Sequence, residues 1–226
     1  MPVTVRLALA DEHNLFRKTL VTYLSEQTNL LVVSHASNIS DLLFGIKGLP
    51  VDVLLMDIHM GKQNGIETVR MIRERHSGIR ILALSDSVDM DLASDALEAG
   101  VHGVISKSDE PEQLLQAIRL ASEGRIYRNK LFTEALYWNK QHNLNTYLHE
   151  PATHLNDRDK RIIQLLWQEK SNKEIAEELF LGIRSIEKIR QDLKEKIGVE
   201  STIGILKYGI LQKIIQIHAG VSKSTL

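Results

Sequence analysis

The chain has 226 residues, of which 43% are hydrophobic and 25% are charged, and its formal net charge is −1. This ordinary globular composition excludes a wholly disordered or fibrous chain, and the absence of cysteine excludes disulfides, thiolate nucleophiles and cysteine-based zinc sites. No apolar run approaches the ~20 residues that a membrane helix needs, so we expect a soluble, cytoplasmic protein with no membrane partner.

Apolar runs and amphipathic stretches alternate strictly through the first 123 residues. Five short apolar runs predict strands: Val3–Ala10, Leu30–Ser34, Val51–Met56, Ile79–Leu84 and Val101–Ile105. Five stretches with helical spacing lie between and after them: Leu15–Leu24, Ile39–Ile46, Ile66–Ile72, Leu92–Leu97 and Leu114–Ala121. This alternation predicts an α/β domain with a five-stranded, parallel, doubly wound sheet. The strands are continuous apolar runs because such a sheet is buried on both sides.

Polar residues follow four of the predicted strands. Asp11 and Glu12 follow the first strand, Asp57 the third, Ser85 the fourth and Lys107 the fifth. The carboxyl ends of parallel strands meet at one edge of the sheet, where α/β folds bind ligands. Three carboxylates repel one another unless a cation lies among them, and such oxygen ligands suit Mg²⁺. A hydroxyl and a lysine could hold phosphoryl oxygens, so the pattern predicts phosphoryl transfer with Asp57 as nucleophile.

The segments ALADEH, LLMDIHMGKQNGIETVRMIR, ILALS and AGVHGVISK resemble a bacterial two-component receiver domain, which is flavodoxin-like, over about residues 3–123. The resemblance implies that Asp57 accepts phosphate from a sensor histidine kinase and that Mg²⁺ is the cofactor. It also implies that the protein is not an enzyme in the usual sense, because the receiver catalyses only phosphoryl transfer to its own Asp57 and the slow dephosphorylation of that residue. The implied metal ligands are Asp11, Glu12, Asp57 and the backbone carbonyl of His59, and the implied phosphoryl contacts are Ser85 and Lys107.

Two departures from the receiver pattern affect switching. Val104 stands at the position of the aromatic switch residue, and Gly61 replaces the usual proline of the loop after the phosphoacceptor. Receivers commonly couple a Ser/Thr movement to rotation of that aromatic ring, which a valine cannot reproduce. The other histidines, His13 among them, show no paired metal-ligand spacing, and we expect surface or structural roles for them.

The middle of the chain, residues 124–153, predicts a connector. Gly124 is a helix stop, Lys130–Lys140 has helical spacing, and the polar residues 141–153 suggest a flexible tether. We therefore predict a receiver over 1–123, a linker over 124–153, a second domain over 154–220 and a tail over 221–226.

The second domain contains four predicted helices: Leu155–Glu169, Asn172–Phe180, Ile183–Ile197 and Thr202–Ile217. Asn156 is the predicted N-cap of the first, and Ser171 to Glu174 form a capping box that opens the second. Two short helices joined by a tight turn, the second with a polar and basic face, predict a helix-turn-helix in a small all-α domain. The same pattern fits a helical bundle with a solvated charged face about equally well.

The segment LNDRDKRIIQLLWQEKSNKEIAEELFLGIRSIEKIRQDLKEKIGV resembles the NarL/LuxR-type DNA-binding domain, over about residues 154–217. The resemblance implies that Ile183–Ile197 is the recognition helix and Thr202–Ile217 the dimerisation helix. Seven side chains are implied at DNA: Lys173, Arg184, Glu187, Lys188, Arg190, Gln191 and Lys194. Glu187 stands where many members have lysine, and a carboxylate near phosphates costs affinity unless it accepts a bond from a cytosine amino group.

The net charge also differs between the two predicted domains: it is −6 for residues 1–123 and +3 for residues 154–226. The resulting hypothesis is a bacterial response-regulator transcription factor, phosphorylated on Asp57 and binding promoter DNA as a homodimer. Two alternatives stay open. One is a degenerate-receiver DNA-binding regulator that works without phosphorylation. The other is a phosphorelay or protein-interaction module that no longer binds DNA.

Overall fold

The first part of the chain folds into a five-stranded sheet with helices between the strands. The structure is a computed structural model that describes residues 4–60, 65–86, 89–134 and 155–215. The strands are β1 Val5–Ala10, β2 Leu30–Ala36, β3 Val53–Asp57, β4 Arg80–Ser85 and β5 Gly103–Ser106. The helices are α1 Asn14–Ser25, α2 Ile39–Gly45, α3 Gly65–Arg75, α4 Met90–Ala99 and α5 Pro111–Ser122.

All strand pairs are parallel, and the strand order is β2-β1-β3-β4-β5. This order confirms the predicted doubly wound, flavodoxin-like fold. The strand order reverses at β1, which lies between β2 and β3. The connections that leave β1 and β3 therefore diverge and open a crevice at the carboxyl edge of the sheet.

The central strands are buried on both faces, as their continuous apolar sequences predict. Leu9 on β1, Leu55 on β3 and Leu82 on β4 are fully buried in one core cluster. The edge strand β2 departs from this expectation, since its Leu31 is 52% exposed, whereas β5 at the other edge is mostly buried. Hydrophobic sequence alone does not distinguish a central strand from an edge strand.

The last part of the chain contains the four predicted helices, but the fourth ends at Leu211 and not at the predicted Ile217, since Lys213 has a left-handed φ of 57°. They are α6 Asp157–Trp167, α7 Asn172–Glu178, α8 Ile183–Ile197 and α9 Thr202–Leu211. The predicted caps form: the Asn156 side chain accepts a hydrogen bond from the Asp159 N–H, and Ser171 and Glu174 make a complete capping box. α8 ends at Gly198, whose φ of 70° is left-handed and suits glycine.

The described residues form two compact units, one within Met1–Thr146 and the other within Tyr147–Leu226. Residues 130–134 are helical, which agrees with the first residues of the linker helix predicted over Lys130–Lys140. Gly61, the remainder of that helix, the predicted tether and the tail lie outside the described residues, and the predicted domain boundaries stay predictions. Across the described ranges, no helix is both long enough and apolar enough to cross a membrane.

An ion pair joins β1 to the residue before β3. The guanidinium Nε of Arg6 donates to Asp52 Oδ2 at 2.8 Å, and its Nη2 donates to Oδ1 at 2.6 Å. These hydrogen bonds hold the pKa of Asp52 below its ordinary value. The pair therefore stabilises the fold above about pH 4, the ordinary Asp pKa, and this stabilisation is lost as the pH falls through the lowered pKa.

We expect Asp52→Asn to melt at a lower temperature than the wild type at pH 7. The difference should shrink as the pH is lowered below about 4, because the wild-type carboxylate is then protonated as well. Thermal melts of both proteins across this range measure it. A difference that stays constant down to pH 3 would contradict the charge-based explanation.

Candidate functional site

The carboxyl edge of the sheet brings four of the predicted site residues together. Asp57 is the last residue of β3 and Asp11 directly follows β1, and both are fully buried. Ser85 is the buried last residue of β4, and Lys107 follows β5. The edge is therefore a pocket in which two buried carboxylates face a hydroxyl and an ammonium group.

Lys107 is the cation that compensates these carboxylates. Its Nζ lies 2.8 Å from Asp57 Oδ2, 2.9 Å from Asp11 Oδ2 and 3.2 Å from Asp86 Oδ1. Burial lowers the pKa of Lys107, but its contacts with Asp57 and Asp11 outweigh burial and raise that pKa above its ordinary value. The ammonium group is therefore charged and fixed beside the proposed phosphoacceptor.

The buried oxygen Oδ2 of Asp11 is stabilised by the charge of Lys107 and not by a well-formed hydrogen bond. The oxygen is buried and accepts no hydrogen bond of acceptable angle within the described part of the chain, although Lys107 Nζ lies close to it. The 2.9 Å separation is that of an ion pair, and Coulomb attraction between the two charges does not depend on the donor angle. A lone pair of this oxygen can therefore coordinate a cation.

His59 holds the other side of Asp57. Its backbone N–H donates to Asp57 Oδ1 at 2.8 Å, and its imidazole Nε2 lies 3.2 Å from the Ser85 Oγ. The loop after β3 thus orients the Asp57 carboxylate and also contacts the hydroxyl that is predicted to hold a phosphoryl oxygen. The sequence prediction gave His59 only a backbone role.

Two further residues reach the pocket that the sequence prediction did not place there. His13 Nδ1 lies 3.3 Å from Asp11 Oδ1 and 3.7 Å from Asp57 Oδ2, and Asp86 contacts both Lys107 and His13. His13 is the N-cap of α1, and Asp86 follows Ser85 directly. Both are next to predicted site residues, and this adjacency is the only sequence signal that could have identified them.

The donor set of the pocket fits a divalent cation. Ligand atoms of Asp11, His13 and Asp57 all lie within 4.8 Å of one another. Carboxylate oxygens are the ligands that Mg²⁺ prefers, and Lys107 shows that a positive charge is favourable here. Glu12 has an exposed side chain that is not part of this close group, so its predicted metal role stays a prediction, as does that of the His59 carbonyl.

Two residues that the sequence prediction omitted shape the loops around the pocket. Arg17 is buried on α1, and its guanidinium donates to the Asp11 carbonyl and, at 3.0 Å, to Asn14 Oδ1. Gly65 opens α3 so close to the chain after β3 that an added Cβ would overlap the Ile58 carbonyl oxygen and lie 2.9 Å from its carbon. Arg17 and Gly65 therefore fix the loops that carry Asp11 and His59.

Val104 is fully buried in β5, three residues before Lys107. Its backbone carbonyl accepts a hydrogen bond from Asn129 Nδ2 at 2.9 Å, in the segment that leaves α5. The position therefore offers no aromatic ring that could exchange between buried and exposed rotamers. Instead, the hydrogen bond between the Val104 carbonyl and the Asn129 side chain connects β5 to the segment that follows α5.

The recognition helix predicted over Ile183–Ile197 has the bounds that the structure gives α8. Ile186, Leu193 and Ile197 are buried on one face. Of the side chains predicted at DNA, five are exposed and two are partly buried: Lys173, Arg184, Glu187, Lys188 and Gln191 in the first group, Arg190 and Lys194 in the second. α8 therefore presents a polar, mostly exposed face opposite its packed face.

Arg190 differs from the other predicted DNA contacts because its guanidinium is engaged inside the domain. It donates to Asn172 Oδ1 at the start of α7 and to Thr202 Oγ1, 2.7 Å away, at the start of α9. Arg190 thus connects α8 to both neighbouring helices. Its predicted contact with DNA stays a prediction, and the structure gives it a tethering role in addition.

Two family models match the chain. The model of the response regulator receiver domain matches residues 7–119, and the model of bacterial regulatory proteins of the luxR family matches residues 153–208. The curated relatives include the transcriptional regulatory protein LiaR of Bacillus subtilis, which is 30% identical over 86% of this chain and 92% of its own length. They also include the oxygen regulatory protein NreC of Staphylococcus aureus, which is 28% identical over 94% of this chain and 100% of its own length.

Solved structures show the same fold. A structure of the RcsB response regulator of Salmonella typhimurium has a TM-score of 0.56 and 20% identity, over 93% of this chain and 100% of that one. A second is described as two RcsB dimers bound to two parallel DNAs, with a TM-score of 0.56 and 20% identity, over 94% of this chain and 100% of that one.

Proposed function

Because the chain belongs to the NarL/LuxR-type response regulators, we propose that it is a transcription factor controlled by phosphorylation of Asp57. A sensor histidine kinase supplies the phosphoryl group, and the regulator binds promoter DNA as a homodimer in the bacterial cytoplasm. The observation that carries the proposal is the Asp57 carboxylate, buried at the sheet edge with its Oδ2 2.8 Å from the Lys107 ammonium.

The pocket suits nucleophilic attack by Asp57. A carboxylate oxygen of Asp57 forms a bond to phosphorus while the bond from phosphorus to the kinase imidazole nitrogen breaks, and the product is an acyl phosphate. The Lys107 ammonium and the Ser85 hydroxyl are placed to hold phosphoryl oxygens, and the His59 N–H already fixes the other oxygen of Asp57. In this proposal the chain promotes its own modification at Asp57 and a slow hydrolysis of the acyl phosphate.

Asp11 and Asp57 would hold Mg²⁺, with Glu12 and the His59 carbonyl proposed to complete its ligands. When bound, the ion offsets the repulsion between these carboxylates and the phosphoryl oxygens. Asp11 Oδ2 supports this assignment, because it is buried, pairs with the Lys107 ammonium 2.9 Å away and accepts no hydrogen bond from the residues that the structure describes.

The exposed polar face of α8 supports the DNA-binding half of the proposal. Arg184 and Lys188 are exposed on the turns of α8 nearest its N-terminus, where helix-turn-helix proteins contact base edges, and Lys173 is exposed on the preceding helix. Dimers of a related fold are described bound to DNA, and a dimer of this chain would contact two half-sites about one helical turn apart.

Intact mass after incubation with acetyl phosphate and Mg²⁺ tests the phosphoacceptor. We expect one phosphoryl adduct on the wild type and none on Asp57→Ala. A matched control is Asp41→Ala, which removes an exposed carboxylate on α2 and should leave the adduct intact. No adduct on the wild type, with acetyl phosphate and with candidate kinases, would contradict the proposal.

Val104 favours a second candidate, a DNA-binding regulator that works without phosphorylation. A buried valine cannot make the ring rotation by which receivers commonly transmit the phosphorylated state. DNA affinity and dimerisation, measured with and without the adduct, separate the two functions. Identical values in both states would support the second candidate.

A further inference from the structure

The turn between α7 and α8 carries exposed apolar side chains. Phe180 in this turn is 94% exposed, Leu181 next to it is 37% exposed, and Ile183, the first residue of α8, is 46% exposed. Within the described residues 155–215, all the large hydrophobic side chains that are exposed lie in this segment of four residues. Single exposed hydrophobic residues are ordinary on protein surfaces, whereas such a cluster indicates a surface that contacts a partner.

Phe180 has a backbone conformation that suits glycine better than phenylalanine. Its φ is 54°, in the left-handed region, where a bulky side chain costs free energy. The turn is fixed in this conformation, because the N–H of the next residue, Leu181, donates to the Ala176 carbonyl at 2.9 Å. Packing does not offset the cost, because the Phe180 ring is almost fully exposed. The fold of the domain therefore gives no reason for an aromatic side chain at this position.

The position of these side chains favours DNA as the partner. Helix-turn-helix proteins contact base edges with residues at the N-terminus of the recognition helix, and Ile183 begins α8. The exposed cations Arg184 and Lys188 follow on the same helix, so a surface suited to phosphates is continuous with the apolar side chains. In the major groove, the 5-methyl group of thymine is the base group that apolar side chains contact.

We propose that Phe180 and Ile183 form an apolar pair that contacts thymine methyl groups in the major groove, so that the protein selects sites with thymine at these positions. The seven side chains predicted at DNA are all polar or charged, and the apolar pair adds a kind of base recognition that they do not provide. The inference rests on the DNA-binding part of the proposed function, but not on phosphorylation.

Replacing thymine by uracil in the DNA tests this contact, because it removes the methyl group and keeps the base pairing. We expect the full chain to bind a duplex enriched by the wild-type protein more tightly than the same duplex with every thymine replaced by uracil. The expected loss is about fourfold for each contacted methyl group, and roughly 15-fold for a dimer with one such contact in each half-site. Fluorescence anisotropy measures both affinities.

The double variant Phe180→Gly, Ile183→Ala should lose this preference and bind both duplexes about as the wild type binds the uracil duplex. Its melting temperature should not fall, because glycine readily adopts the φ of position 180 and alanine favours the helix at position 183. Lost affinity would therefore not reflect lost folding. Phe44→Ala is the matched control, since Phe44 is 84% exposed on α2 in the first unit, and it should keep the wild-type preference.

Three results would overturn the inference while DNA binding itself stands. They are equal affinity of the wild type for the two duplexes, a double variant that still prefers thymine, and enriched sequences in which no thymine recurs. Equal affinity would also favour a protein as the partner of the apolar pair. If the wild type binds neither duplex in a salt-dependent way, the DNA-binding half of the proposed function fails, and this inference fails with it.

Discussion

Alanine in place of both Arg184 and Lys188 is expected to lower the affinity for DNA by on the order of 100-fold. Each side chain is exposed on α8, and a basic contact to a base edge or a phosphate contributes about 1–3 kcal/mol. The salt dependence of binding should also weaken, by about one unit of slope for each phosphate that the protein no longer neutralises. Fluorescence anisotropy with a duplex enriched by the wild-type protein, at several salt concentrations, measures both effects.

Lys160→Ala is the control for this experiment, because Lys160 is an exposed lysine of the same domain on α6. It should keep nearly the wild-type affinity and slope. If the double variant binds as the wild type does, α8 is not the recognition helix. If the wild type shows no salt-dependent binding to any duplex, the protein-interaction alternative takes precedence.

Gly65→Ala is expected to destabilise the first unit by about 3 kcal/mol, at the upper end of ordinary overpacking. The added Cβ would overlap the Ile58 carbonyl oxygen, and backbone cannot yield as a flexible side chain does. Because Ile58 directly follows Asp57, the displaced loop should also slow formation of the phosphoryl adduct.

Hydrogen exchange followed by mass spectrometry localises the effect of this substitution. Peptides from β1 and β3 should lose protection, while peptides from α7 to α9 in the second unit should not change. Gly78→Ala is the matched control, because an added Cβ there meets nothing within 4 Å. Wild-type protection of β3 in Gly65→Ala would show that the loop can move aside at little cost.

The sequence was sufficient to predict the alternating strands and helices, because the four buried strands, the apolar edge strand β2 and the intervening helices leave strong hydrophobic patterns. It also predicted that Asp57, Ser85 and Lys107 would meet, since parallel strands place their carboxyl ends at one edge. The caps at Asn156 and Ser171 were predictable for a similar reason, as capping depends on spacing within a few residues.

What the sequence did not predict depends on loop conformation and on long side chains. His13 and Asp86 enter the pocket only because the loops after β1 and β4 turn towards it, and no periodicity encodes that turn. The position of Arg190 on α8 indicates a face of the helix, but a guanidinium at the end of a long, flexible side chain can reach back to neighbouring helices. The need for glycine at position 65 was equally unpredictable, because it arises from the close approach of the Ile58 carbonyl, seven positions earlier in the chain.

The two hydrogen bonds of Arg190 show that different residues of α8 hold the helix in place and face outwards. Arg190 fixes the helix to the starts of α7 and α9, whereas Arg184, Glu187 and Lys188 are exposed. Selection can therefore change these outward residues one at a time in duplicated genes, with little penalty to folding. Related proteins that recognise different promoters should therefore differ more at these outward positions than at position 190.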